Sequence, residues 1–508
     1  MRSILNKFIF YFLTSLFFFY ANITFAECSI YNSDGNKTSP KEDPLYQILA
    51  NQTACPFNIV EFKTLLEKSS LKSEVTMVAN RGFHNPTLGS FSFFEIVHGN
   101  LADVNLTVNK GDFFFGHFTE AKDKKIVLDQ NPSENKLMIE LIVWDPKKQF
   151  YNFYELRGAG SATKWFYRGD SLDALKDNIY LYRDPPPNTA KFGNRMRCSA
   201  CHNSGGPIMK ELSSPHNDWW SSERPLPFAA NHPDDDVAKQ IKAVIEPLLL
   251  SESVSNGINQ LEKSSSYQQV KNEISLQEQL RPLFCEVEIN LQSDNVPLDE
   301  TKTIMIPSGF FINSFLHEDS FLIDKKDYET YLKEFVINFP ETKRRDADHA
   351  WLVPVKSISD IKAIQTVINK KIIDKTFAAT VLSIDIDNPV FSQSRCELLK
   401  LIPQKFSSLW KDEFLIALQR SDLPQAKSLY LQLSNPKYSY EYYVTEAKKL
   451  AKTIQVRLKE PEGKKIYFKK MIDSRLAVAE SEISKNPLGQ ILEPGFRVIF
   501  PESKTTQP

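Results

Sequence analysis

The spacing of hydrophobic residues changes along this chain, and that change sets the class of fold. From about residue 70 to 185, apolar and polar residues alternate in short aromatic-rich runs separated by turn-forming stretches. Alternation with a period of two is typical of strands that pack on one face. From about residue 234, apolar residues recur at helical spacing instead. The sequence therefore predicts an α+β protein, with an N-terminal antiparallel β-rich domain and a mainly α-helical C-terminal region.

Individual elements are also predicted. The four β runs are Phe113–Phe118, Ile126–Leu128, Leu137–Trp144 and Phe150–Leu156. The last two flank Asp145-Pro146-Lys147-Lys148, which is typical of a hairpin turn. Helices are expected near residues 326–337, 359–381, 407–420, 439–458 and 464–485. The short apolar stretch Phe496–Phe500 is predicted to return as a strand.

The first 26 residues have the features of a bacterial secretory signal. Arg2 and Lys7 precede the apolar run Phe8–Phe19, and small residues occupy positions 24 and 26. Cleavage before Glu27 is expected, which leaves a periplasmic or secreted protein with no membrane segment. The alternative is an uncleaved anchor, because Phe8–Ala26 approaches the length of a membrane span.

The mature chain divides into three predicted parts. A β-rich domain covers residues 27–233, a mainly helical domain 234–420 and a helical segment 421–508. With 62 basic and 63 acidic residues the chain offers no broad cationic surface, so nucleic acid is not an expected partner. Its 42% hydrophobic content excludes wholesale disorder.

The sequence contains one motif with strong chemistry, in the segment 186–220 that ends the β-rich domain. Cys198-Ser199-Ala200-Cys201-His202 has the C-x-x-C-H pattern to which c-type haem is attached. Two thiols on one helical turn can add to the two porphyrin vinyl groups, and the next residue carries an imidazole under the iron. A zinc site would need two more ligands, and a thioredoxin-like pair would follow a buried strand. Both alternatives are weaker here.

These five residues resemble the haem-attachment site of the c-type cytochromes. The longer stretch Arg197–Pro207, which ends in Gly-Gly-Pro, is similar to large exported bacterial proteins with cytochrome c domains and no assigned function. A weaker likeness, in the order of sheet and motif, is to the β-rich family that contains cytochrome c-prime-beta. The resemblance implies one covalently attached haem c, His202 as the proximal iron ligand and a periplasmic redox protein as partner.

The distal iron ligand is less clearly indicated. No methionine occurs between Met209 and Met305, and Met209 follows His202 too closely, through a Gly-Gly-Pro turn. His216 lies fourteen residues after His202, a length of chain sufficient to reach the distal face, and is the candidate distal ligand. The alternative is an open distal face that binds a small molecule. Arg195 and Arg197 flank the motif and are predicted to bind the anionic haem propionates.

The remaining four cysteines are predicted to form disulfides, because export places them in an oxidising compartment. The favoured pairing joins Cys28 to Cys55 and Cys285 to Cys396, because the two partners of each pair lie in a similar region of the chain. Buried free thiols are the alternative.

Three functions follow from these observations. The first is a periplasmic monohaem cytochrome that transfers single electrons. The second is a haem enzyme or sensor with an open distal site for peroxide, NO or hydroxylamine. In the third, the helical portion carries the function and haem is a minor cofactor.

Overall fold

The computed structural model describes most of the chain between residues 28 and 499. The described residues are 28–78, 92–122, 125–128, 137–158, 162–177, 195, 198–199, 202, 204–207, 230–235, 238–239, 245, 247–285, 288–292, 302–335, 353–484 and 497–499. The predicted signal segment 1–26 lies outside them. Within the described ranges, no helix has the length and apolar content needed to span a membrane.

The N-terminal half contains a mixed sheet, and the C-terminal half is mainly helical, so the predicted α+β class is confirmed. The strands of the sheet are β1 (Ile30–Tyr31), β2 (Leu71–Val78), β3 (Ser92–Leu101), β4 (Leu106–Lys122), β5 (Lys125–Leu128), β6 (Leu137–Asp145), β7 (Phe150–Arg157) and β8 (Lys164–Asp170). They are hydrogen-bonded in the order β1-β8-β7-β6-β4-β3-β2, and β5 pairs with the end of β4. All pairs are antiparallel except β1 with β8, which is parallel.

The predicted hairpin is confirmed as β6 and β7. Asp145 lies directly opposite Phe150, and its Oδ1 accepts hydrogen bonds from the backbone N–H groups of Lys147 and Lys148 at 3.1 and 3.0 Å. Gln149 completes the turn with a positive φ of 58°. An Asp side chain that bonds backbone N–H groups ahead of it is a common way to close such a turn.

Helices cover both faces of the sheet. One face packs against α1 (Pro44–Ala50) and α2 (Ile59–Lys68). The other packs against α3 (Ser171–Asp177), α4 (Pro247–Lys263) and α5 (Ser265–Glu273). The alternation of β4 separates the two cores, because Phe113 and Phe115 belong to the first and Phe114 to the second. Cys198 belongs to the second core, so the motif lies on that face.

A buried carboxylate joins the N-terminal helix to the sheet. Asp43 caps α1 by accepting the N–H of Tyr46 at 2.9 Å, and its Oδ2 accepts from Tyr154 Oη at 2.5 Å and Asn152 Nδ2 at 2.7 Å. Asp43 is fully buried. Burial raises the pKa of Asp43 to about 6, although these hydrogen bonds oppose the change.

This carboxylate gives a testable pH dependence. The folded pKa lies above the unfolded one, so folding takes up a proton and stability rises as the pH falls through about 6. Between pH 7 and pH 5, the free energy of unfolding of the wild type should rise by about 1 kcal/mol relative to Asp43→Asn. Chemical denaturation followed by circular dichroism measures this, with exposed Asp34→Asn as the control. A difference that does not change with pH would contradict it.

The C-terminal helices mostly match their predictions. They are α6 (Leu276–Phe284), α7 (Ser308–Phe311), α8 (Lys325–Glu334), α9 (Ile358–Asn369), α10 (Lys375–Ser383), α11 (Gln393–Glu397), α12 (Trp410–Arg420), α13 (Pro424–Leu433), α14 (Tyr440–Arg457) and α15 (Pro461–Ser484). The single helix predicted over 359–381 is instead two helices. Lys371 adopts a positive φ of 57°, which ends α9, and Asp374 caps α10 through the N–H of Phe377.

Short strands occur between these helices. They are β9 (Glu288–Gln292), β10 (Thr303–Ile306), β11 (Phe321–Asp324), β12 (Val353–Lys356) and β13 (Arg497–Ile499). Strand β13 lies within the predicted Phe496–Phe500 and pairs with β9. The predicted C-terminal strand is therefore confirmed.

Both predicted disulfides are present. Cys28–Cys55 lies beside the first sheet core, and Cys285–Cys396 joins the end of α6 to α11. The core on the second face of the sheet includes residues as far along the chain as Ile274. A separate core, the helical core, is formed by residues from Leu276 onwards. The domain bounds 27–233, 234–420 and 421–508 themselves stay predictions.

Candidate functional site

The first cysteine and the histidine of the motif lie on one helical turn. The N–H of His202 donates to the carbonyl oxygen of Cys198 at 2.8 Å, the bond of an α-helical turn. Residues four apart on a helix share a face, so the thiol and the imidazole emerge on the same side. Cys198 is buried, with 9% of its surface exposed. Cys201 lies outside the described residues.

The ring of His202 is oriented by a backbone carbonyl. Its Nδ1 lies 2.8 Å from the carbonyl oxygen of Gly206. A carbonyl only accepts hydrogen bonds, so Nδ1 carries the proton and, in the neutral ring, Nε2 carries the lone pair. The ring also stacks on Phe153 of β7, with centroids 5.5 Å apart and planes at 24°. This orientation is typical of a histidine whose Nε2 binds a metal.

Three elements hold the loop that supplies this carbonyl. Gly205 has a φ of 79°, and its carbonyl accepts from Ser171 Oγ of α3 at 2.6 Å. Ser204 O accepts from Tyr267 Oη of α5 at 2.8 Å. Gly206 lies against Leu261 of α4, which a Cβ on Gly206 would approach to 3.1 Å. The position of the imidazole therefore depends on packing contributed by α3, α4 and α5.

The loop geometry predicts a measurable cost for a side chain at Gly205. A Cβ there would lie 3.0 Å from Ser171, in a backbone conformation that disfavours L-residues by roughly 1–2 kcal/mol. Gly205→Ala should therefore lower the free energy of unfolding by more than Gly35→Ala. Gly35 is the matched control, because its φ is 81° and nothing lies within 4 Å of its Cβ position. Equal losses in denaturant unfolding would contradict the packing described here.

Arg195, predicted to bind a propionate, has a carboxylate partner within the chain. Its Nε and Nη2 donate to the two oxygens of Asp177 at 2.7 and 2.5 Å. Burial raises the pKa of Asp177, and Arg195 opposes that change. This ion pair ties the motif segment to the end of α3. Arg197 and His216 lie outside the described residues, so their predicted roles stay predictions.

A second ion pair on the same face was not predicted from the sequence. Phe153 and Glu155 are two residues apart on β7, so their side chains point to the same face of the sheet. His202 packs on that face, because its ring stacks on Phe153. Glu155 accepts from Arg168 Nε at 2.8 Å, and both side chains are almost completely buried. The signal in the sequence is a carboxylate at a core-facing position within Phe150–Leu156. Its partner on β8 follows only from the strand pairing.

The two described histidines of the sheet, His98 and His117, have carboxylate partners. His117 and Lys63 contact Glu95 Oε1 at 2.9 and 2.8 Å, within the core on the opposite face. Burial alone would raise the pKa of Glu95, but these partners lower it to about 2. His98 lies 3.3 Å from Glu74. Both histidines therefore make their contacts within the fold.

Four methionines lie in described elements. Met138 belongs to the core on the opposite face, Met471 to the helical core, Met305 lies on β10, and Met77 lies on β2, four strands from β7 in the sheet. In the part of the chain that the structure describes, no group of three or more His, Cys, Asp or Glu side chains is arranged to hold a metal ion.

Comparison with protein-family models, with curated proteins and with solved structures finds no match for this chain.

Proposed function

We propose that this chain is an exported monohaem cytochrome of the c type, which holds its haem covalently and transfers single electrons. The observation that carries the proposal is the hydrogen bond from His202 Nδ1 to Gly206 O, made by the histidine of a C-x-x-C-H motif. That bond leaves Nε2 as the nitrogen able to ligate iron. The periplasm is the compartment that fits the predicted export signal and the two disulfides.

The residues of the site have distinct roles in this proposal. The thiols of Cys198 and Cys201 would hold the porphyrin, and His202 Nε2 would be the proximal ligand. Phe153 stacks on the imidazole of His202 and fixes the plane of the ring. The carbonyl of Gly206, in the loop Ser204–Pro207, fixes the rotation of the ring within that plane. The haem would supply a one-electron redox centre, and a periplasmic redox protein would be its partner.

Arg195 and Arg168, two of the arginines on this face, differ in their exposure. Arg195 has 39% of its side chain exposed beside the motif, whereas Arg168 is buried against Glu155. An exposed guanidinium can add a second anionic partner without losing the first, because Arg has five N–H donors. Arg195 is therefore the better candidate of the two for a propionate.

The alternative is an open distal site that binds a small molecule, as in a haem enzyme or sensor. It is favoured by the positions of Met138, Met305 and Met471, all placed in other parts of the protein. His117 and His98 also favour the open site, because both of these possible distal ligands contact carboxylates within the sheet.

Visible spectra of the reduced protein with and without CO distinguish the two proposals. An electron carrier with two strong axial ligands gives a low-spin spectrum that CO does not change. An open site gives a high-spin spectrum that shifts on adding CO. The His216→Ala variant refines the result, because loss of the low-spin spectrum in that variant would identify His216 as the distal ligand.

A further inference from the structure

The helical region contains a cleft that the proposed haem site does not use. It has a volume of about 650 Å³, within the range of small-molecule sites. Strand β12 and helix α9 form one side, and the segment after β10 together with the start of α14 forms the other. Part of its lining, called the apolar floor here, consists of apolar side chains. These are Phe315, Val355, Ile361, Ile364 and Ile368.

Two opposite charges lie at the mouth of this cleft. Lys375, the first residue of α10, and Glu318 both line the cleft and are exposed. In the described part of the chain, neither of them forms an ion pair. Lys375 Nζ is 5.8 Å from the ring centroid of Tyr440. Glu318 and Tyr440 line the same cleft, and burial and the charge of Glu318 raise the pKa of Tyr440.

Tyr440 is held in place at the cleft. Its Oη donates to the carbonyl oxygen of Phe315 at 3.2 Å, which joins the start of α14 to the segment after β10. The other cation of the cleft, Lys356, is buried and donates to the carbonyl oxygens of Pro282 and Cys285, both at 2.8 Å. The ammonium of Lys356 is therefore used within the fold, and the mouth charges are the ones a ligand can reach.

We propose that this cleft binds a short zwitterionic peptide with apolar side chains. The peptide carboxylate would pair with Lys375, its ammonium with Glu318, and its side chains would cover the apolar floor. A ligand with a single charge would satisfy only one of the two mouth residues and meet a like charge at the other. The volume of the cleft suits two residues better than a single amino acid.

Calorimetric titration of leucyl-leucine into the full mature protein tests this proposal. We expect binding of the free dipeptide, with affinity about tenfold weaker for its N-acetyl and for its amide derivative, since each loses a hydrogen bond to a charged group. Lys375→Gln should remove the preference for the free carboxylate, and Glu318→Gln the preference for the free ammonium. Lys362→Gln, on α9 outside the cleft, is the matched control.

A steric variant tests the position of the ligand. A Cβ at Gly309, which lines the cleft, would meet Val355 at 3.7 Å, an ordinary contact, so the side chain of Gly309→Leu begins beside the cleft without a clash at its Cβ. It should abolish binding and leave the circular dichroism unchanged. Absence of binding to the wild type, equal binding of the three dipeptides, or full binding to Gly309→Leu would each overturn the proposal. Because the cleft is independent of the motif, the Cys198→Ala/Cys201→Ala variant should bind the dipeptide normally.

Discussion

Replacement of both Cys198 and Cys201 by alanine is expected to abolish covalent haem attachment. The two thioether bonds are the only covalent links that a C-x-x-C-H motif makes to the porphyrin, and the sequence contains one such motif. When this double variant is exported by a host with the maturation system, its polypeptide should show no Soret band after denaturing electrophoresis or acid–acetone extraction. His202→Ala should reduce pigment and remove the proximal ligand from whatever remains.

The matched control for this experiment is Cys28→Ala/Cys55→Ala. It also removes two cysteines of the same domain, but that pair forms a disulfide away from the motif. The control should keep one covalent haem per chain. Equal pigment in the motif variant and the control would contradict the assignment of the motif.

Removal of the Cys285–Cys396 disulfide is expected to destabilise the helical region by about 5 kcal/mol, from the loop entropy of the unfolded chain. The two cysteines are 111 residues apart, and both are buried in the helical core. Their replacement by alanine also shortens two buried side chains where α6 meets α11. Denaturant unfolding followed by circular dichroism measures the loss.

The second disulfide provides the comparison. Cys28 and Cys55 are 27 residues apart, for which the same entropy argument gives about 3.5 kcal/mol. Its removal should therefore cost less than removal of Cys285–Cys396. The opposite order would show that strain or residual structure, rather than loop length, controls both values.

Several features of the fold could be predicted because their signals are local. The hairpin of β6 and β7 combines two short apolar and aromatic runs with an Asp-Pro turn, and Asp145 closes that turn in the structure. Helices such as Trp410–Arg420 and Tyr440–Arg457 have clear helical periodicity. The motif is local as well, since the C-x-x-C-H pattern that identifies it lies within five consecutive residues.

Other features depend on contacts between distant segments. The break between α9 and α10 occurs at Lys371, which adopts a left-handed conformation with neither glycine nor proline as a signal. The pairing of Arg168 with Glu155 follows from the register of β7 and β8. The sequence predicts Arg195 as a propionate partner because it flanks the motif, whereas its contact with Asp177 depends on how α3 packs and has no signal in the sequence.

The most direct test of the central claim is the mass and pigment of the purified wild-type protein. Protein exported with the maturation system should carry the added mass of one haem per chain, keep its colour in acid–acetone and give the pyridine haemochrome spectrum of a haem with two thioether bonds. A colourless protein with the mass of the polypeptide alone, or a pigment that acid–acetone removes, would contradict the account.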